Sequence, residues 1–529
     1  MGIRKDQSGA ETYRQSSKSR RNPFAAPQWL GATIATMRDF ALIHLNGVRR
    51  EIRGREALMM LAEWLRKEAG LSGTKIVCAE GDCGACTVLR ASCRARSHSD
   101  QYLNFEAMNS CIATVAQMDG THIVTVEGMQ CGDHLSPAQE AMRKCHASQC
   151  GYCTPGFVMA ISAMLERHDQ ADARTASNYL TGNLCRCTGY APIVEAALTV
   201  RATEKHSVAR RYSDPHLISE SVSSTKLSML VEYDGTKLFA PVSLREAVTF
   251  SAAHPGTRVL GAATDLGVQV NKGKPLPTSL LSLHLIPELY ETKLTRSRVT
   301  FGSRVTLAEV RRVSEDVAPE FARFLNLFAS PQIKNVATLV GNIANGSPIG
   351  DTLPFLLIAG GEVHVASRPG AKGVVRKRKI PMTELYVGYK KLALEIGEII
   401  THISFDRTSA KEVMSLCKVT QRKDLDISAV SGAFSLTLKS ILKASRNGKT
   451  TPYVVCARIA YGGVAATPLR MPEVELALCG ELTAERIESA AHLIARSIKP
   501  ISDVRGSASY RRVAAANLFR RFGNEVLRG

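Results

Sequence analysis

From Phe40 to Leu45 the chain is almost wholly apolar, Asn46-Gly47 follows, and a second extended run begins at Val48. This pattern predicts a β-hairpin, because two turn residues that accept positive φ match the twist of paired strands. Leu58, Leu61, Trp64 and Leu65 then recur at helical spacing, so a helix over residues 57–68 is expected to pack across the hairpin. Residues 135–200 lack strand alternation. Phe157, Ile161, Met164 and Leu165 mark a helical face behind a Thr154-Pro155 helix start. Residues 201–228 turn polar and serine-rich, as a linker should. Beyond them, short strands alternate with glycine turns, a helical stretch over 307–313 and an apolar segment over 355–359, before a last strand-and-helix layer.

The pattern therefore divides the chain into an extension over 1–36, a β-rich unit over 37–125, a helical unit over 126–200, a linker over 201–228, an α+β unit over 229–405 and a C-terminal unit over 406–529. No internal repeat is visible. A length of 529 residues suits several domains, since single cores rarely grow beyond roughly 250–300 residues. Hydrophobic residues make up 45% and charged residues 22%, and no long apolar run reads as a membrane span, so a soluble, cytoplasmic chain with no membrane partner is expected.

Sixty-eight basic against 48 acidic residues give a net charge of +20. The excess is scattered. Its densest knot, Arg368, Lys372, Arg376, Lys377, Arg378 and Lys379, lies near Gly and Pro and has no interleaved aromatics, so an exposed loop is expected and nucleic acid is not. The Arg- and Ser-rich first 36 residues hold Arg20-Arg21, but Pro27 and Gln28 interrupt any apolar core, so a disordered extension or a translation start at Met37 is expected.

Fourteen cysteines, many tightly clustered, point to ligands rather than disulfides. Cys78, Cys83 and Cys86 form C-x4-C-x2-C, completed by Cys111. This is plant-type ferredoxin spacing, which supplies four thiolates to a [2Fe–2S] cluster, and Gly81 and Gly84 allow the backbone to wrap closely. Zinc is the competing reading, but zinc ribbons use paired C-x2-C knuckles. Cys150, Cys153, Cys185 and Cys187 form a second set of four. Cys153 falls at a helix N-terminus, and the C-x-C half is expected on a turn before the helix near Pro192.

The stretches from Gln149 to Phe157 and from Gly182 to Tyr190 resemble the helical cluster domain of the xanthine dehydrogenase and aldehyde oxidase family of molybdenum hydroxylases. The resemblance runs from about Phe40 to the end. It implies an α+β multidomain chain: a β-grasp ferredoxin-like [2Fe–2S] domain, a helical-bundle [2Fe–2S] domain, and an α+β FAD-binding domain of the CO dehydrogenase flavoprotein type with a C-terminal α/β subdomain. It also implies that Gln149 faces the pterin of a molybdopterin-bearing partner.

Two small-residue loops fit the same resemblance. By matching position, FAD contacts fall on Val259, Leu260, Gly261, Ala262, Ala263, Thr264, Asp265 and Leu266, and on Phe328, Thr338, Asn342, Ser347, Asp351, Ile400 and Lys418. Phe328 would pack on the isoalloxazine ring. Arg422, Lys423, Asp424 and Asp426 match a loop that influences NAD access. Neither loop is a GxGxxG fingerprint, so no Rossmann domain is expected. Val77, Ala262-Ala263 and Val340 stand where the family usually has glycine, and the gap from Cys86 to Cys111 is longer than usual.

The resemblance implies an electron relay: a substrate oxidised at molybdenum on a separate large subunit, two [2Fe–2S] clusters, FAD, then NAD. Hypoxanthine or xanthine is the expected substrate, and a heterotetramer of two small and two large chains the expected assembly. An aldehyde- or N-heterocycle-oxidising relative is the alternative within the class. A non-redox zinc scaffold that binds a polyanion is the alternative outside it.

Overall fold

The computed structural model describes residues 37–93, 102–368, 373–422, 424–440 and 452–528. The extension expected over 1–36, Lys372 and Lys423 lie outside the described residues.

The N-terminal unit is a five-stranded sheet in the order Val48–Arg53, Phe40–Leu45, Thr121–Val124, Thr87–Ser92, Glu106–Asn109. Its first and third-listed neighbours to Phe40–Leu45 differ in sense: Val48–Arg53 pairs antiparallel as a hairpin, and Thr121–Val124 pairs parallel. Asn46 and Gly47 both take positive φ at the hairpin turn, as the sequence predicts.

The single helix expected over 57–68 is instead two, Gly54–Leu58 and Leu61–Lys67. Met59 and Met60 are extended because backbone bonds go sideways: Val115 N–H donates to the Met59 carbonyl, and Leu61 N–H to the Ala113 carbonyl. Trp64 and Leu65 still bury against Ile43 and Leu45.

Four helices make the second unit: Pro137–Lys144, Thr154–Leu165, Ala173–Leu180 and Ala191–Thr199. Ser136 and Gln139 close a capping box on the first, and Asp172 caps the third. Residues Gly156 to Met164 are buried on every side, which explains why this stretch has no polar face. Leu89, Phe105 and Ala107 of the sheet share one core with Phe157, Ile161 and Met164.

The stretch over 201–228, expected as a linker without regular structure, carries the helices Val208–Tyr212 and Pro215–Ser224. Their starts are capped by Ser207 and Asp214, and only Val208, Ile218 and a few small polar residues need burying, too sparse a set to show an apolar period. Ser221 Oγ meets His44 Nδ1 at 3.1 Å, so this segment is strapped to the first sheet.

The third unit holds two sheets. One runs Met229–Tyr233, Thr236–Ala240, Ser279–Ser282, Arg258–Leu260, with its last two pairings parallel. The other runs Thr292–Leu294, Arg298–Gly302, Ile399–Asp406, Glu362–Ser367, Arg376–Pro381. The basic knot expected as a loop is thus partly an edge strand: Arg376, Lys377, Arg378 and Lys379 are all exposed there, and their backbone pairs with residues 364–367. Charges on an edge discourage further strand addition.

The last unit is a sheet of Glu412–Val419, Val430–Ser440, Pro452–Gly462 and Leu469–Arg470, covered by the helices Ala484–Ser497 and Ala508–Arg528. Among the described residues, no helix is long and apolar enough to cross a membrane.

Candidate functional site

The first four cysteines sit where the wrapping loop returns to the sheet. Ala79, Gly81 and Gly84 all take positive φ, which turns the chain around Cys78. The amides of Glu80 and Cys83 each donate to Cys78 Sγ at 3.4 Å. Cys86 and Cys111 are buried beside Ala62 and Ile112. The thiols meet in twos: Cys78 with Cys83, and Cys86 with Cys111.

The second four repeat this arrangement between helices. Cys150 and Cys187 approach to 3.6 Å, and Cys153 meets Cys185. Cys153 is the N-cap of Thr154–Leu165, and Cys185 and Cys187 lie on the turn before Ala191–Thr199, as the sequence predicts. The Thr188 amide and hydroxyl reach Cys185 Sγ at 3.5 and 3.2 Å.

Two adjacent thiols do not readily both ionise, and contact between them shifts their titration. The Cys83 hydrogen bond holds Cys78 low, at about 5, while the same contact pushes Cys83 far up. Cys86 is lowered by Cys111, and Cys111 is raised by Cys86. Burial, then the contact with Cys185, pushes Cys153 up to about 12. Among the described residues, no three ligating side chains converge on a single-ion position. Four pairs of thiols, each pair placed for one metal of a two-metal cluster, fit [2Fe–2S] chemistry better than one tetrahedral ion per set.

A cavity of about 420 Å³ opens in the third unit. The run Val259, Leu260, Gly261, Ala262, Ala263, Thr264, Asp265 and Leu266 lines it, together with Phe328, Thr338, Asn342 and Ile400. The second small-residue stretch, expected as a loop, begins as the helix Leu339–Asn345 capped by Thr338, whose Oγ1 accepts from the Gly341 amide at 3.0 Å. Val340 on this helix is buried in the core and also lines the cavity. A Cβ on Gly261 would stand 3.1 Å from Thr338 Oγ1, so the two segments face each other across a narrow gap. That cradle, with amides at a helix start and an apolar flank, fits a flavin dinucleotide.

Three expected residues do not line this cavity. Asp351 and Lys418 form a buried ion pair at 2.9 Å, and the Ser428 hydroxyl donates to Asp351 at 2.6 Å. Burial raises the Asp351 carboxyl, against the pull of Lys418 and Ser428. Ser347 instead accepts the Gly350 amide through its carbonyl. Leu392 and Leu394 line the cavity and were not foreseen, since nothing in their local sequence separates them from ordinary core leucines.

Arg422, Asp424 and Asp426 also lie off the cavity lining. Asp426 braces its own turn, accepting from the amides of Gln421 and Arg422 at 3.0 Å each, while Arg422 and Asp424 are exposed. Gln149 is exposed beside the exposed Cys150.

One helix joins the cavity to the first cysteine loop. Thr264–Asn271 starts at the cavity, and at its far end Asn271 Nδ2 donates to the carbonyls of Cys111 and Ala79, both at 2.8 Å. Gly267 lies so close to Ile112 that any Cβ would collide with its carbonyl.

Four domain families match along the chain in the same order. Residues 43–116 match the 2Fe-2S iron-sulfur cluster binding domain and residues 125–198 the [2Fe-2S] binding domain. Residues 233–406 match the FAD binding domain in molybdopterin dehydrogenase, and residues 415–526 the CO dehydrogenase flavoprotein C-terminal domain. The chain belongs to the molybdenum hydroxylase family. Among molybdenum hydroxylases, it is similar to the xanthine dehydrogenase of Drosophila subobscura, 30% identical over 510 residues. That match covers 87% of this chain and 37% of the relative, so the chain spans little more than a third of the relative's length. Xanthine dehydrogenase 1 of Arabidopsis thaliana is 29% identical, with 83% and 36% covered. A solved carbon monoxide dehydrogenase chain from Hydrogenophaga pseudoflava is 24% identical with a TM-score of 0.48, covering 54% of this chain and 94% of that one.

Proposed function

We propose that this chain carries electrons between a molybdopterin-bearing partner and NAD⁺ during oxidation of hypoxanthine and xanthine to urate. The purine reading is supported by the xanthine dehydrogenase relatives, and the relay itself by one observation, the arrival of eight thiols as four pairs in two separate sets. In this reading Cys78, Cys83, Cys86 and Cys111 hold one cluster, and Cys150, Cys153, Cys185 and Cys187 hold the other. Residues 259–266, Phe328, Thr338, Asn342 and Ile400 hold FAD, with Ser347, Asp351 and Lys418 as further contacts.

Bound there, iron–sulfur clusters supply one-electron steps and FAD supplies the junction between one- and two-electron chemistry. The chain's own residues set the conditions. Amides of Glu80 and Cys83 aimed at Cys78 Sγ, and the Thr188 hydroxyl at Cys185 Sγ, stabilise charge on sulfur. Phe328 would supply an apolar face for the flavin ring, and the start of the helix Leu339–Asn345 would favour the anionic linkage of FAD. Gln149, exposed next to Cys150, faces the molybdopterin chain, in an assembly of two small and two large subunits. Arg422 and Asp424 influence the access of NAD⁺, and Asp426 shapes their turn.

The test is direct. The purified chain should contain about four iron atoms with matching acid-labile sulfide, absorb as flavin plus iron–sulfur protein, and turn over no xanthine until the molybdopterin chain is added. A folded, colourless preparation, or one holding zinc alone, defeats the proposal.

A further inference from the structure

Gln332 belongs to the flavin-binding unit, yet its amide is wholly buried between the two cysteine-bearing units. It sits on the short helix Pro331–Lys334, which Ser330 caps, and Asn335 at the end of that helix donates to the Ala107 carbonyl of the first sheet at 2.9 Å. From this platform Gln332 Nε2 donates to Asn183 Oδ1 at 2.7 Å and lies 3.4 Å from Thr87 Oγ1. Asn183 in turn donates through Nδ2 to the Gly84 carbonyl at 3.0 Å, and Thr87 Oγ1 donates to the same carbonyl at 2.6 Å. All three polar side chains are nearly inaccessible to solvent.

The backbones close around this junction without room for side chains. A Cβ on Gly182 would strike Gln332 Oε1, one on Gly84 would strike the Gly182 carbonyl, and one on Gly156 would strike the Gly84 carbonyl. Gly84 lies between the ligand candidates Cys83 and Cys86, and Asn183 lies two residues before Cys185. The Leu184 amide donates to the Cys83 carbonyl at 3.0 Å, so the two cysteine loops touch here, as they also do where the Tyr152 hydroxyl reaches the Ile76 carbonyl at 3.4 Å.

We propose that Gln332 is a positioning residue that fixes the separation of the two clusters from the flavin-binding unit, an inference that rests on the electron-transfer reading above. The Asn183 amide carries two N–H donors on Nδ2 and an acceptor oxygen, Oδ1; Nδ2 donates to the Gly84 carbonyl at 3.0 Å and lies 3.5 Å from Thr87 Oγ1. With Nδ2 committed to Gly84, its Oδ1 requires a donor, and Gln332 is the side chain that supplies it. Removing that donor leaves a buried acceptor unsatisfied at the contact between the loops, so the loops separate or sample several spacings.

The experiment uses the full chain loaded with iron, sulfide and FAD and reduced with dithionite, with the magnetic dipolar coupling between the two reduced clusters read by pulsed EPR. Gln332→Leu is expected to keep both cluster signals and flavin absorbance while the coupling weakens and broadens relative to the parent. Gln332→Glu is expected to show parental coupling at low pH, where a protonated carboxyl donates to Asn183, and the weakened form at high pH, where it cannot. Should the Leu variant fail to fold, the Glu variant compared at two pH values within one preparation decides the matter. Parental coupling in the Leu variant, or no pH response in the Glu variant, overturns the role of Gln332. A parent protein with no paramagnetic cluster signal defeats the electron-transfer reading instead.

Discussion

At the scale of single residues, the flavin loop carries a cost that its sequence makes visible. Ala263 takes a left-handed conformation, φ 55°, at the start of the helix Thr264–Asn271, where a glycine would be unstrained. A left-handed non-glycine residue costs roughly 1–2 kcal/mol, and glycine's larger unfolded-state entropy returns part of that. Ala263→Gly should therefore stabilise the flavin-loaded chain by about 0.5 kcal/mol, read as a higher urea midpoint with unchanged slope. A lower midpoint would mean that the Ala263 methyl contributes packing that outweighs its strain. The triplet Cys78, Cys83 and Cys86 and the C-x2-C and C-x-C halves of the second set are legible because their spacing is local. Cys111, 25 positions after Cys86, and the joining of Cys153 to Cys185 across 32 positions rest instead on a cluster's need for four thiolates. Asp351 and Lys418 were legible only as matches to a family, and their separation from the cavity was not, because an ion pair 67 positions apart along the chain leaves no local trace.

Among the elements, the first strand is held by more than its ladder. Arg38 donates through Nη1 and Nη2 to Asp119 at 2.6 and 2.5 Å, and His284 of the flavin-binding unit stands 3.7 Å from the same carboxylate. Burial alone would raise Asp119, but the bonds from Arg38, with His284 close by, outweigh it and hold the carboxyl at about 2. A folded pKa below the unfolded value of about 3.9 gives stability that is complete above the unfolded value and is lost as pH falls toward 2. The loss is about 2 kcal/mol across that window. Asp119→Asn should flatten this part of the acid limb and, at neutral pH, cost about 3–5 kcal/mol by stranding a buried guanidinium. Parallel acid limbs in variant and parent, followed by fluorescence, would show that Asp119 titrates normally. The split of the predicted 57–68 helix belongs to this scale too: its apolar period was legible, but the carbonyl and amide of residues 113 and 115 that break it come from a distant segment.

Across the whole molecule, cores cross the boundaries that composition suggests. Ala41, Ile43 and Leu45 of the first sheet pack in one cluster with Met229, Val231, Leu260 and Leu266 of the flavin-binding unit. Arg38 also lies opposite Met229 in a parallel bridge, donating its amide to the Ser228 carbonyl and accepting from the Leu230 amide. Ligand binding to the cavity should accordingly be felt in the ferredoxin-like sheet. At 100 times its dissociation constant, FAD should stabilise the chain by about 2.7 kcal/mol, and amide exchange should slow in Phe40–Leu45 as well as around residues 259–266. Slowing confined to the cavity would show that the units open independently.

The sequence by itself determined the short-range cysteine spacings, the turn at Asn46-Gly47 and the helical character of the second unit, because each depends on spacing within a few residues or on a local backbone preference. Only the tertiary structure decided that the supposed linker is helical, that Asp351 and Lys418 form a buried ion pair, and that Gln332 reaches between the two cysteine loops. Those outcomes depend on which buried polar groups meet across long stretches of chain, and the requirement that each find a partner acts only once the units are packed.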